Sequence, residues 1–189
     1  MTEMNNNIQT RSRGAVNVRI LTLAAVFAAL ITVTTAFVKI PAPLGYVHAG
    51  DSVVYLAASV LPGPFGFAAA AIGGGLADLL AGYPQWAVAT AIIKALNVLP
   101  FFLIKFALKK SLRRDKIINI PNLLMLIPTT IVTLTGYFVA NAILYDAAAA
   151  AAELLPNLFQ AGVGAVLFIV LGAGLDAVKF KSVFDKERK

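Results

Sequence analysis

Six apolar runs, at residues 20–38, 52–61, 65–82, 87–108, 122–146 and 157–178, fill most of this 189-residue chain and leave only short polar stretches between them. At 1.5 Å per helical residue, the first, fourth, fifth and sixth runs are long enough to cross about 30 Å of hydrocarbon. Only 13% of the residues are charged, against about 25% in soluble domains, so lipid is the expected surrounding. Residues 46–61 reach only about 24 Å as a helix, and Pro62, Gly63 and Pro64 force a break before the third run.

Charge placement fixes the expected topology. Arg11, Arg13 and Arg19 precede the first run; Lys105, Lys109, Lys110, Arg113, Arg114 and Lys116 follow the fourth; Lys179, Lys181, Lys186, Arg188 and Lys189 follow the last. Basic flanks mark the cytoplasmic side, so an even number of crossings separates each pair of clusters. The simplest answer has two crossings from residues 46–82, joined at residues 62–64, and therefore six spans. The expectation is an all-α membrane protein, one bundle of six transmembrane helices over residues 1–189. Cytoplasmic tails are expected at residues 1–19 and 179–189. No small-residue cleavage site follows the polar start, so the first run is expected to remain as a membrane helix. The outer loops are then residues 39–50, 83–86 and 146–156, with Lys39 the single basic residue among them.

Several chemistries are excluded. There is no cysteine, and the single histidine cannot build a multi-histidine centre, so no metal site and no cofactor are expected. No GxxxxGK[ST] loop is present, so the chain does not hydrolyse ATP itself. The net charge of +7 sits in membrane flanks rather than on a nucleic-acid surface. No nucleophile, base and orienting group occur together, and the chain is not read as an enzyme.

Polar residues inside such a protein are costly and mark function. His48 and Asp51 lie in the stretch at residues 43–51; Asp78, Tyr83, Gln85 and Trp86 lie within residues 75–86; Lys94 and Asn97 share one face of the fourth run. Asn141, Tyr145 and Gln160 add polar groups at the same depth. A carboxylate in hydrocarbon needs a partner, and Lys94 is the candidate for a structural ion pair with Asp78. Asp51 could instead cap the second helix. Tryptophan and tyrosine at a membrane rim are ordinary interface anchors, yet beside amide groups they also offer a stacking face for a flat heteroaromatic ligand. Ala24/Ala28 and Ala25/Ala29 form two small-xxx-small pairs, suited either to internal packing or to a partner helix. Gly73, Gly74 and Gly75 are expected to pack internally. The six alanines at residues 147–152 are expected to be helical.

The order GYVHAGDSVVYLAASVLPGPFG and then GGLADLLAGYPQWAVATAIIKAL resembles the substrate-binding S component of energy-coupling factor (ECF) vitamin transporters. The resemblance is strong over residues 20–110 and weaker beyond. It implies a multi-pass cell-membrane protein that captures a vitamin on the outer side and works with a transmembrane coupling subunit and two cytoplasmic ATPases. It implies a substrate site drawn from His48, Asp51, Tyr83, Gln85, Trp86, Lys94, Asn97, Asn141, Tyr145 and Gln160. It also favours a partner-coupling role for Ala24, Ala25, Ala28 and Ala29. The run Leu61, Pro62, Gly63, Pro64 is richer in proline than the family pattern.

Within that class, the ring-stacking and amide groups favour a vitamin B6 form or a thiamine-precursor pyrimidine, with riboflavin next. A large anion such as folate would want more cations at this depth. The competing readings are a stand-alone secondary transporter or channel, which would call for inverted repeats or broken helices in both halves, and a membrane-embedded enzyme.

Overall fold

The computed structural model describes residues 18–42, 45–108 and 116–181. Most of both expected tails and of the basic cluster around residues 109–115 lies outside the described residues. Helices dominate: α1 (Val18–Ala36), α2 (Gly50–Val60), α3 (Gly63–Ala81), α4 (Ala87–Ala107), α5 (Ile120–Leu124), α6 (Leu126–Leu144), α7 (Ala147–Ala152) and α8 (Leu154–Ala177), with a 3₁₀ turn at Pro84–Trp86. Five segments, Val18–Ala36, Gly63–Ala81, Pro84–Ala107, Ile120–Leu144 and Ala147–Ala177, are long and apolar enough to cross a membrane. Their outward faces carry large apolar side chains such as Val88, Phe106 and Ile143, the surface expected where lipid replaces water.

The second run departs from expectation. Residues 46–61 are not one helix, because Lys39–Ala42 (β1) and Gly45–His48 (β2) form an antiparallel hairpin that pairs Lys39 with His48 and Ala42 with Gly45. The described residues are nearly all helical, as expected, with this one two-stranded element added. Helix α2 begins only at Gly50 and is 11 residues long, roughly 16 Å. It can be short because it is the hub of the bundle: every residue from Gly50 to Ser59 is buried. A helix apolar on all sides belongs in a core. Tyr55 from α2, Phe101 from α4 and Phe168 from α8 meet there with ring centroids 6.1–6.2 Å apart.

The break after α2 is stabilised from outside. Leu61 leaves the helix in extended conformation, Pro62 follows, and Pro64 sits in the first turn of α3, where proline costs no hydrogen bond. Lys105 of α4 donates to the carbonyls of Ala58 and Leu61, satisfying groups that the broken helix leaves open. At the same end, the Asp176 carboxylate accepts from the backbone amides of Ile117 and Ile118 at 2.7 and 2.8 Å, tying the chain before α5 to α8.

Helix α3 lies between α1 and α4, and its glycines allow both approaches. A Cβ on Gly73 would stand 2.7 Å from the Ala28 carbonyl oxygen and 2.8 Å from Ile31 Cβ. A Cβ on Gly74 would stand 2.8 Å from the Lys94 side chain. This contact also divides the two alanine pairs of α1. Ala24 is buried and Ala28 faces α3, whereas Ala25 and Ala29 lie exposed on the opposite side.

Replacing Gly73 by leucine should therefore destabilise the detergent-solubilised protein by about 1–3 kcal/mol through overpacking. Gly162, with open space around its Cβ position, should accept alanine without loss. Thermal unfolding followed by circular dichroism checks the contrast, and equal midpoints for the two variants would refute it.

Candidate ligand-binding site

Asp51 lies in the first turn of α2 and Lys94 seven residues into α4, about 10 Å from its start. Their side chains form a salt bridge, and both are fully enclosed. Gln160 Nε2 of α8 donates to the other Asp51 carboxylate oxygen at 3.1 Å. One carboxylate thus joins three helices. The Lys94 ammonium also stands 5.7 Å from the centre of the Tyr137 ring, within range of a cation–π attraction.

This corrects the expected Asp78–Lys94 pair. Antiparallel packing sets Gly74 against the stem of Lys94 and against Thr90, so Asp78, one turn beyond Gly74, lies a turn above the ammonium. Thr90, on the facing turn of α4, is the polar neighbour of Asp78 on the cavity wall. Asp51 does not cap α2 either: the N-cap is Ala49, without a side-chain bond, and the carboxylate turns inward instead.

Above the ion pair, a cavity of about 400 Å³ opens between the hairpin, the α3–α4 turn, α6 and α8. Its lining includes His48, Asp78, Trp86, Thr90, Tyr137, Asn141 and Gln160, with Tyr83, Tyr145, Glu153, Pro156 and Asn157 towards the rim. Trp86 is 6.0 Å from both the Tyr137 and the Tyr145 rings, tilted by 51° and 39°. The Tyr137 hydroxyl donates to Thr90 Oγ1 at 3.4 Å, and Asn141 Nδ2 to the Tyr137 carbonyl at 3.0 Å. His48 stands on the cavity wall, and its Nδ1 has no hydrogen-bond partner among the described residues.

Of the residues expected from sequence, His48, Tyr83, Trp86, Asn141, Tyr145 and Gln160 line this cavity. Asp51 and Lys94 lie beneath it, engaged with each other. Asn97 is deeper still, bonded to Thr133 at 3.0 Å across the α4–α6 contact. Gln85 is exposed on the turn and is not part of the lining. Thr90, Tyr137, Glu153, Pro156 and Asn157 were not expected. Helical spacing carried a signal for four of them. Thr90 continues the stripe of Trp86 and Lys94; Tyr137 lies four residues before Asn141; Asn157 and Glu153 precede Gln160 by three and seven residues, on the same helical face.

A lipid-facing exterior around a polar, aromatic-lined cavity defines a membrane protein that binds a small solute. The chain matches the family "ECF-type riboflavin transporter, S component" over residues 15–177 and belongs to it. It is thus a membrane-embedded, substrate-binding component of a vitamin transporter, a family that implies coupling and ATPase partners. It is also 34% identical over 156 residues, 81% of this chain and 96% of the other, to the "uncharacterized protein in gap 3'region" of Pyrococcus woesei.

Removing one partner of a buried ion pair strands the other charge, at about 3–5 kcal/mol. Asp51→Asn and Lys94→Met alone should therefore each lower the unfolding midpoint strongly. The Asp51→Asn/Lys94→Met double variant should recover much of that loss. A double-mutant cycle on thermal unfolding measures the coupling, and strictly additive losses would show that the pair contributes no interaction of its own.

Proposed function

We propose that this chain captures a flat, unphosphorylated nitrogen heteroaromatic vitamin at its outer face, a vitamin B6 form or a thiamine-precursor pyrimidine. It then delivers that ligand with a coupling subunit and two ATPases. The lining of the cavity carries this reading. Aromatic rings from Trp86, Tyr137 and Tyr145 stand beside the amides of Asn141, Asn157 and Gln160 and the carboxylates of Asp78 and Glu153. Among the described lining residues there is no lysine or arginine. Phosphate groups would meet carboxylates there without a cation to match them. Riboflavin is the second reading, supported by the riboflavin transporters for which the matching family is named and by a volume within the roughly 300–1,000 Å³ of pockets for drug-sized ligands.

Six crossings with both termini cytoplasmic form part of the same proposal. The hairpin and α2 together make the crossing that α2 is too short to make alone. Strand β2 packs against α8 and ends at His48 on the cavity wall, so its backbone is sheltered by protein, the condition on which non-helical chain is tolerated at membrane depth. For coupling, the exposed Ala25 and Ala29 are the alanines positioned to admit a partner helix, since Ala24 and Ala28 already pack inward.

Trp86 is the single tryptophan in the chain and lines the cavity, so its fluorescence reports occupancy directly. Titration of the purified protein should show the pyrimidine or a B6 form binding well below about 1 mM, with phosphorylated counterparts at least about tenfold weaker. Saturation by riboflavin alone would replace the first reading by the second, and binding restricted to phosphorylated ligands would sink both.

Ala25→Trp should abolish uptake and co-purification with the coupling subunit while leaving ligand affinity within about twofold. Loss of ligand binding with the complex intact would assign Ala25 to the internal packing instead.

A further inference from the structure

The carboxylates at this end of the bundle differ in how their charge is matched. Asp51 has an ammonium and an amide donor. Asp78 has only the neutral Thr90 beside it on the cavity wall, whose hydroxyl accepts from Tyr137, and its Oδ2 meets no partner among the described residues. Lys94 lies within electrostatic range of both carboxylates, but its hydrogen bond goes to Asp51. The position sharpens the imbalance. Asp78 occupies the last turn of α3, which closes at Gly82 in left-handed conformation. The C-terminal end of a helix carries partial negative charge and favours cations, so a carboxylate there has the unfavourable sign. A half-buried negative group at the negative end of a helix, on the wall of a cavity with Trp86 and Tyr137, calls for a positive or strongly donating group from the ligand.

We propose that Asp78 is the specificity-determining residue of the cavity. It accepts from an N–H edge of the bound ring, either an exocyclic amino group or a protonated ring nitrogen, while the aromatic side chains hold the ring itself. This rests on the heteroaromatic reading above and narrows it to ligands with such an edge. Glu153, exposed at the rim, is too open to water to discriminate in the same way.

Two ligand pairs test the assignment by Trp86 fluorescence. One is the aminopyrimidine precursor of thiamine with its isostere carrying methyl in place of the amino group. The other is pyridoxine with the analogue in which carbon replaces the ring nitrogen. Wild-type protein should prefer the N–H member of the pair it binds by roughly tenfold or more. Asp78→Asn, which keeps the shape and an acceptor for Thr90, should shrink that preference, and Asp78→Leu should bring it to about unity. Should the leucine variant fail to fold, the asparagine variant decides. A preference unchanged by substitution, or an equal loss for both members of a pair, overturns the role of Asp78 while leaving the heteroaromatic reading in place. Binding without any preference in the wild type does the same. Failure of all four probes to bind overturns that reading and this assignment with it.

Discussion

Taking an ammonium and a carboxylate out of water costs several kcal/mol per ion even after relaxation, and Asp51 and Lys94 are both fully enclosed. The cost is offset only because the geometry gives each charge its partner and gives Asp51 a second donor in Gln160. The pair consequently fixes more than itself. It sets the height of α2 against α4, holds α8 through Gln160, and positions His48, three residues before Asp51, on the cavity wall. Shifting α2 by one turn, about 5.4 Å, would strand both charges and withdraw the hairpin from the cavity. The floor of the ligand site is therefore set by an interaction with no demonstrated contact to ligand.

Above this floor, the binding surface is built from helical stripes at three- and four-residue spacing. Trp86 and Thr90 come from the start of α4, Tyr137, Asn141 and Tyr145 from α6 and its end, and Asn157 and Gln160 from α8. The deeper members of the same stripes have other work. Lys94 matches Asp51, and Asn97 joins α4 to α6 through Thr133. A polar stripe on a membrane helix thus changes role with depth, from contact at the cavity to adhesion between helices below it.

That change of role explains how the sequence could be read and where it could not. Long apolar runs and basic flanks mark the five long spans, because length and charge act locally. The internal role of Gly73 and Gly74 was legible from their crowding among small residues. The hairpin was not: residues 39–48 contain two prolines and a glycine, and their pairing depends on cover from α8. Asp78 was the expected partner of Lys94 and Asp51 a cap of α2, whereas the pairing turns on one helical turn of register that Gly74 sets in three dimensions. The small-residue pattern of α1 gave two pairs without saying which faced inward. Tyr137 lies in an apolar run, where an aromatic residue resembles lipid-facing bulk until the stripe it shares with Asn141 is traced.

The separation of Asp51 from Lys94 by 43 residues has a consequence for how the protein is made. At roughly 5–20 residues per second, several seconds of synthesis separate the two. Throughout that interval, the segment containing Asp51 carries an unmatched charge in the first turn of α2, costly wherever it is taken out of water, and α2 has only 11 residues to offset it. Left to itself, α2 has little reason to enter the bilayer. The ammonium that matches its charge arrives only with α4, so the hub around which the finished bundle is packed is expected to settle after α4 rather than in chain order.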